Sequence, residues 1–193
     1  APGGGGTAGT AAPPPPLAGD PFTLGVASGD PLADRVVLWT RLAPDPLGDG
    51  GMPDQSVEVT WEVAGDEAFA DVVSSGVATA VPALGHSVHV DADGLEPDTW
   101  YHYRFRVGEY TSPVGRTRTF PASGADAALL RLAVANCQSY QWGTYAAYRH
   151  IAADRPDAVL FLGDYIYELP GVDDPDRALA EREDRRRPVD HDR

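Results

Sequence analysis

Apolar residues are spaced in two different ways along this chain, and the change falls across residues 122–128, ASGADAA. Upstream, apolar and polar residues alternate, as in Val57-Glu58-Val59-Thr60-Trp61-Glu62-Val63 and Tyr101-His102-Tyr103-Arg104-Phe105-Arg106-Val107. Alternation turns one face of a strand to a core and the other to water. FTLGVASGD, RVVLWTRL, SVEVTWEV, DVVSSGVATA, HSVHVDADGL, TWYHYRFRVG and VGRTRTF read as strands. Turn signals separate them at Gly29-Asp30-Pro31, Asp45-Pro46, Gly65-Asp66, Gly94 and Glu96-Pro97-Asp98. About seven short strands at this spacing predict a β-sandwich over residues 20–121. Trp39 and Trp61 sit on alternating patterns and read as core.

Downstream the apolar runs are continuous. LLRLAVAN and AVLFLG read as strands and GTYAAYRHIAAD as a helix between them. Tyr145, Tyr148 and Ile151 recur along one helix face, and Asp154-Arg155-Pro156 ends it. Runs without alternation imply strands buried on both faces of a parallel sheet, so the segment reads as one right-handed βαβ unit. The expected fold class is mixed β and α/β: an Ig-like sandwich, then the first βαβ unit of an α/β domain over residues 129–193. Two strands and one helix cannot bury a doubly layered core, so that second region is expected to be poorly stabilised alone. Residues 1–19, APGGGGTAGTAAPPPPLAG, read as a disordered tail or linker. Residues 169–193 carry mixed charge without an apolar stripe and read as solvated helix fragments or disorder, Arg185-Arg186-Arg187 included.

Acids outnumber bases 29 to 15 in the 193 residues, a net charge of −14. That balance argues against non-specific binding to nucleic acid or anionic membrane. It does not exclude phosphate substrates, because a bound cation inverts the local field. The one cysteine excludes an intrachain disulfide. No apolar run is long enough to span a bilayer, and no basic-then-apolar leader is present; a signal peptide, if there was one, is expected to be absent from this sequence.

The chemistry concentrates where the two continuous runs end. In a βαβ unit both strands point the same way, so their C-terminal ends share one rim of the sheet. Cys137 follows the first run and Asp164 follows the second. On neighbouring strands they lie about 5 Å apart, within reach of one ion. An acid at the end of a buried strand is costly unless compensated, and a metal is a usual compensation where Cys, Tyr and Asp converge. Tyr167 reaches the same ion if the backbone turns after Asp164, and Glu168 follows as a further acid. Thiolate, phenolate and carboxylates together suit Fe3+, and carboxylate oxygens alone suit Ca2+. Gly163 permits an unusual φ just before the acid. Asn136 and Gln138 are turn residues or donors behind the ligands. A Gly-Asp pair after a strand is also a common turn, and Tyr140, Tyr145 and Tyr148 read as packing. His150 reads as a surface residue near a helix C-terminus.

LAVANCQSYQWGTYAAYRHIAADRPDAVLFLGDYIYE is similar to the start of the metallophosphatase domain of the alkaline phosphatase D (PhoD-type) family, and FTLGVASGDPLADRVVLWTRLAP to that family's N-terminal sandwich domain. GLEPDTWYHYRFRVG resembles a fibronectin type III strand with its tyrosine corner. The family resemblance implies a secreted phosphomonoesterase and phosphodiesterase, a metallophosphoesterase using Fe3+ and Ca2+. It implies Cys137, Asp164 and Tyr167 as metal ligands, with Asp164 bridging, and export by a twin-arginine leader that this sequence lacks. In the complete enzyme the metal pair would deliver an activated hydroxide in line to the phosphorus. From Val172 onward the family pattern is not followed, so an incomplete site and an inactive N-terminal portion are expected. Two other readings compete: a non-catalytic sandwich serving as a binding module, and a phosphoesterase of the purple acid phosphatase type. Cys137 argues against the last, because those enzymes open their site with an Asp at that point.

Overall fold

Alternation becomes two antiparallel sheets in the first of two units, which divide at Ala125/Asp126. The computed structural model describes residues 16–126, 129–138, 145–165 and 167. The expectations for residues 1–15, Tyr140, Glu168 and residues 169–193 lie outside the described residues.

In the first unit, β1 (Val26–Gly29), β2 (Arg35–Arg41) and β5 (Ser87–Asp93) form a three-stranded sheet in the order β1-β2-β5. The second sheet runs β4 (Val72–Ala80), β3 (Val57–Ala64), β6 (Trp100–Val107), β7 (Tyr110–Thr111), with β8 (Gly115–Arg118) also on β6. Val36 and Leu38 of β2 and Val88, Val90 and Ala92 of β5 share one core with Val57, Val59 and Val63 of β3. Tyr101, Tyr103, Phe105 and Val107 of β6 complete it. Fully burying each large side chain of this kind stabilises by ~1.5–3 kcal/mol.

The two tryptophans part company. Residues 36, 38 and 40 of β2 turn inward and are buried, which leaves Trp39 half-exposed on the outer face of its sheet and corrects its reading as core. Trp61 does pack against the core, directly opposite Gly76 of β4. A β-carbon at Gly76 would lie 2.8 Å from the indole, so the indole occupies the space a side chain there would need.

The tyrosine corner is present: the Tyr101 hydroxyl accepts the Glu96 N–H at 2.9 Å, and the ring is buried. Tyr110–Thr111 was not legible as a strand. Pro113 interrupts the edge that β7 and β8 share on β6, and a proline has no N–H to donate. The Ser112 hydroxyl bridges the gap, accepting the Phe105 N–H at 2.9 Å and donating to the Pro113 carbonyl at 2.8 Å.

In the second unit, β9 (Leu132–Ala135) and β10 (Ala158–Phe161) pair in parallel, Leu132 opposite Ala158 and Ala135 opposite Phe161. The Asp157 carboxylate accepts the Arg131 N–H at 2.8 Å and pins the start of the pair. Between them runs α1 (Ala146–Asp154), closed by Arg155 in the left-handed region, its N–H on the Ala152 carbonyl, ahead of Pro156. The expected burial on both faces is not found: Leu132, Val134, Val159 and Leu160 are exposed, and no helix residue is buried. One helix does not cover both sides of a sheet. Among the described residues no helix is long and apolar enough to cross a membrane.

Candidate functional site

The last regular ladder bond of the second unit runs from the Leu162 N–H to the Ala135 carbonyl at 2.9 Å. Beyond it both chains leave extended geometry together. Cys137 takes φ 52°, Gly163 φ 113° and Asp164 φ 54°. Only glycine enters that region freely, so the backbone change that Gly163 was expected to permit occurs and extends to both reactive residues. The two turns stay joined by Cys137 N–H to the Gly163 carbonyl (3.1 Å) and Gln138 N–H to the Asp164 carbonyl (3.0 Å).

These turns bring the expected residues to one point. The Cys137 sulfur lies 3.3 Å from Asp164 Oδ2, and the Tyr167 hydroxyl donates to the same oxygen at 3.1 Å. The chain does turn after Asp164: β10 ends at Phe161, and the Tyr165 ring packs edge-on against Phe161 at 5.1 Å while Tyr167 returns to the carboxylate. Asn136 donates its side-chain N–H to the Cys137 sulfur at 3.4 Å. Gln138 donates from Nε2 to the Tyr165 carbonyl at 3.5 Å. Tyr148, read from sequence as packing, donates its hydroxyl to Gln138 Oε1 at 2.6 Å. The signal for it was its place as the third residue of α1, in the helix turn that opens just after the rim. His150 is exposed on the same helix, as expected.

Lost hydration, then the Asp164 carboxylate and the Cys137 sulfur, push the Tyr167 phenol up to about 12. The Asp164 carboxylate beside it adds to the effect, because a negative neighbour disfavours the phenolate. The 3.3 and 3.1 Å separations are hydrogen-bond lengths that set a thiol, a carboxylate and a phenol side by side. Thiol, carboxylate and phenol are groups that can serve a cation as ligands. Among the described residues no third His, Cys, Asp or Glu joins the group.

The PhoD-like phosphatase N-terminal domain family matches residues 8–121, and the PhoD-like phosphatase family matches residues 132–192, so the family pattern continues past Val172, where it was expected to lapse. Alkaline phosphatase D of Bacillus subtilis (strain 168) is 61% identical over 148 residues, 77% of this chain. The chain spans 25% of the length of that relative. A solved structure of PhoD superposes with a TM-score of 0.79 at 58% identity, over 81% of this chain and 30% of that one. The fn3 domain of the human collagen alpha-1(XX) chain gives a TM-score of only 0.33 at 21% identity, over 66% of this chain and 97% of that domain, too weak to bear on the fold. Two adjacent family matches, running from the sandwich through the rim that joins Cys137 to Asp164, agree with a near relative in sequence and in structure: the chain belongs to the PhoD-like phosphatases.

Proposed function

We propose that this chain carries the first part of the metal centre of a PhoD-type phosphoric ester hydrolase. Cys137, Asp164 and Tyr167 are its metal ligands, and Asn136, Gln138, Gly163 and Glu168 support them. The substrate is a phosphate mono- or diester. Residues 20–121 are the sandwich domain and residues 129–193 belong to the metallophosphatase domain. The protein is exported. The observation that carries this reading is the meeting of thiol, carboxylate and phenol on Asp164 Oδ2 inside the segment that matches the phosphatase family.

Fe3+ and Ca2+, held in part by these residues, would supply an activated hydroxide and neutralise charge on the phosphoryl oxygens. The chain's own contribution is positional. Asp164 would be the central ligand, since its Oδ2 accepts from both Cys137 and Tyr167. Asn136 steadies the sulfur by donating to it. A cation held at Asp164 would favour the Tyr167 phenolate, because a positive charge stabilises the ionised phenol.

The 193-residue chain by itself is expected to hydrolyse phosphate esters negligibly, since the three donors that meet among the described residues are fewer than a clamped pair of ions needs. Turnover of p-nitrophenyl phosphate and bis-p-nitrophenyl phosphate at alkaline pH, with Fe3+ and Ca2+ added, compares the chain with Asp164→Asn. Turnover by the unaltered chain that Asp164→Asn abolishes would show that the described rim is already a working site. Metal analysis of the purified chain separates a metal-binding phosphatase segment from a sandwich that only binds.

A further inference from the structure

Gln138 stands at the crossing of three segments. Its N–H holds Asp164, its Nε2 holds Tyr165, and its Oε1 receives the Tyr148 hydroxyl from α1. The orientation of the amide follows from chemistry. The Tyr165 carbonyl only accepts, so Nε2 must face it, and Oε1 is left for the phenol. Tyr148 is held in turn beside Tyr145, ring centroids 6.1 Å apart. The backbone it adjoins is the left-handed pair at Cys137 and Asp164, a conformation that surrounding contacts must maintain.

We propose that Tyr148 and Gln138 form a brace that sets the rim's geometry: Tyr148 locks the Gln138 amide, and Gln138 locks the turns that bring Cys137 and Asp164 together. Both are positioning residues. Their bearing on metal binding rests on the ligand reading above, whereas the brace itself does not.

The test uses amide hydrogen exchange and Fe3+ added alone, on the 193-residue chain. Tyr148→Phe keeps the ring and removes one hydroxyl. Exchange at the Cys137 and Gln138 amides is expected to quicken roughly three- to tenfold, the size of one lost hydrogen bond. The Leu162 amide, inside the ladder, is expected to stay as it was. Combining Tyr148→Phe with Gln138→Ala should add nothing to Gln138→Ala alone. If Leu162 also quickens, the strand pair has opened, and Gln138→Ala, which leaves the helix face intact, decides instead. Unchanged Cys137 exchange in Gln138→Ala, or unchanged Cys137 and Gln138 exchange in Tyr148→Phe with Leu162 steady, overturns the brace. Fe3+ is followed by thiolate- and phenolate-to-iron absorption, with affinity expected to fall about tenfold or more in Tyr148→Phe. Faster exchange with equal Fe3+ affinity overturns the positioning role. Faster exchange with no absorption even in the unaltered chain upholds the brace and sinks the ligand reading.

Discussion

Val59 and Val134 are both valines inside short strands, yet Val59 is fully buried and Val134 is 59% exposed. Each is paired to a neighbouring strand, so pairing does not explain the difference. What Val59 has is a second sheet facing it, whose Leu38 and Val90 belong to the same core. β9 and β10 have hydrogen bonds and register, with one helix whose residues are all at least partly exposed. The sandwich is held by burial, while the strand pair is held by its ladder and by side-chain pins such as Asp157 and Gln138. Among the described residues the buried apolar side chains belong to the first unit, and Cys137, Asp164 and Tyr167 lie in the second.

The comparison breaks most visibly if apolar deletions cost the same in both places. Phe105→Ala removes a fully buried ring and is expected to destabilise the sandwich by ~3–5 kcal/mol. Val134→Ala is expected to change stability by less than about 1 kcal/mol. Urea unfolding followed by tryptophan fluorescence measures the first, and far-UV circular dichroism the second. A Val134→Ala cost near that of Phe105→Ala would mean that the strand pair is buried in solution.

A smaller effect probes packing within the sandwich. Gly76→Ala drives a β-carbon against the Trp61 indole and is expected to cost about 1–3 kcal/mol, with a shift in tryptophan emission as the ring yields. No loss of stability would show that Trp61 is free to swing away.

The smallest effect concerns charge at an exposed turn. The Asp66 carboxylate accepts the N–H groups of Asp71, Ala70 and Ala68, and these hold it below the usual carboxylate range. A carboxyl lowered in the folded state adds stability above its unfolded value, near pH 4, and loses it as pH falls through the lower folded value. Asp66→Asn should flatten that acid limb by slightly lowering stability near neutral pH while leaving it unchanged at the acid end, as read from urea midpoints between about pH 2 and 6. An acid limb identical in both proteins would show that the turn's hydrogen bonds do not depend on ionisation.

Much of this was legible because period and side-chain direction are local. Val57, Val59 and Val63 announced a half-buried strand, and the run LLRLAVAN announced a parallel one, though not its exposure. Trp39 went astray for a nearby reason: alternation gives two faces, and the phase that points inward was set by Val36, Leu38 and Thr40 rather than by the largest residue. β7 escaped notice because the Ser112 hydroxyl takes the place of a backbone acceptor beside Pro113, a substitution with no periodic signature. At the rim, Cys137 and Asp164 were found from topology, since the ends of parallel strands must adjoin. Tyr148 was not, because its role depends on which way one glutamine amide faces.

The left-handed turns at Cys137 and Asp164 have a consequence for how this rim tolerates change. A non-glycine residue held there costs on the order of 1–3 kcal/mol, whether or not its side chain is ever used. Glycine at either position relieves that cost while deleting a donor, so drift toward a sturdier fold and drift toward an inert one run in the same direction. Stability alone would then favour losing both groups, and only selection for what they do would keep them.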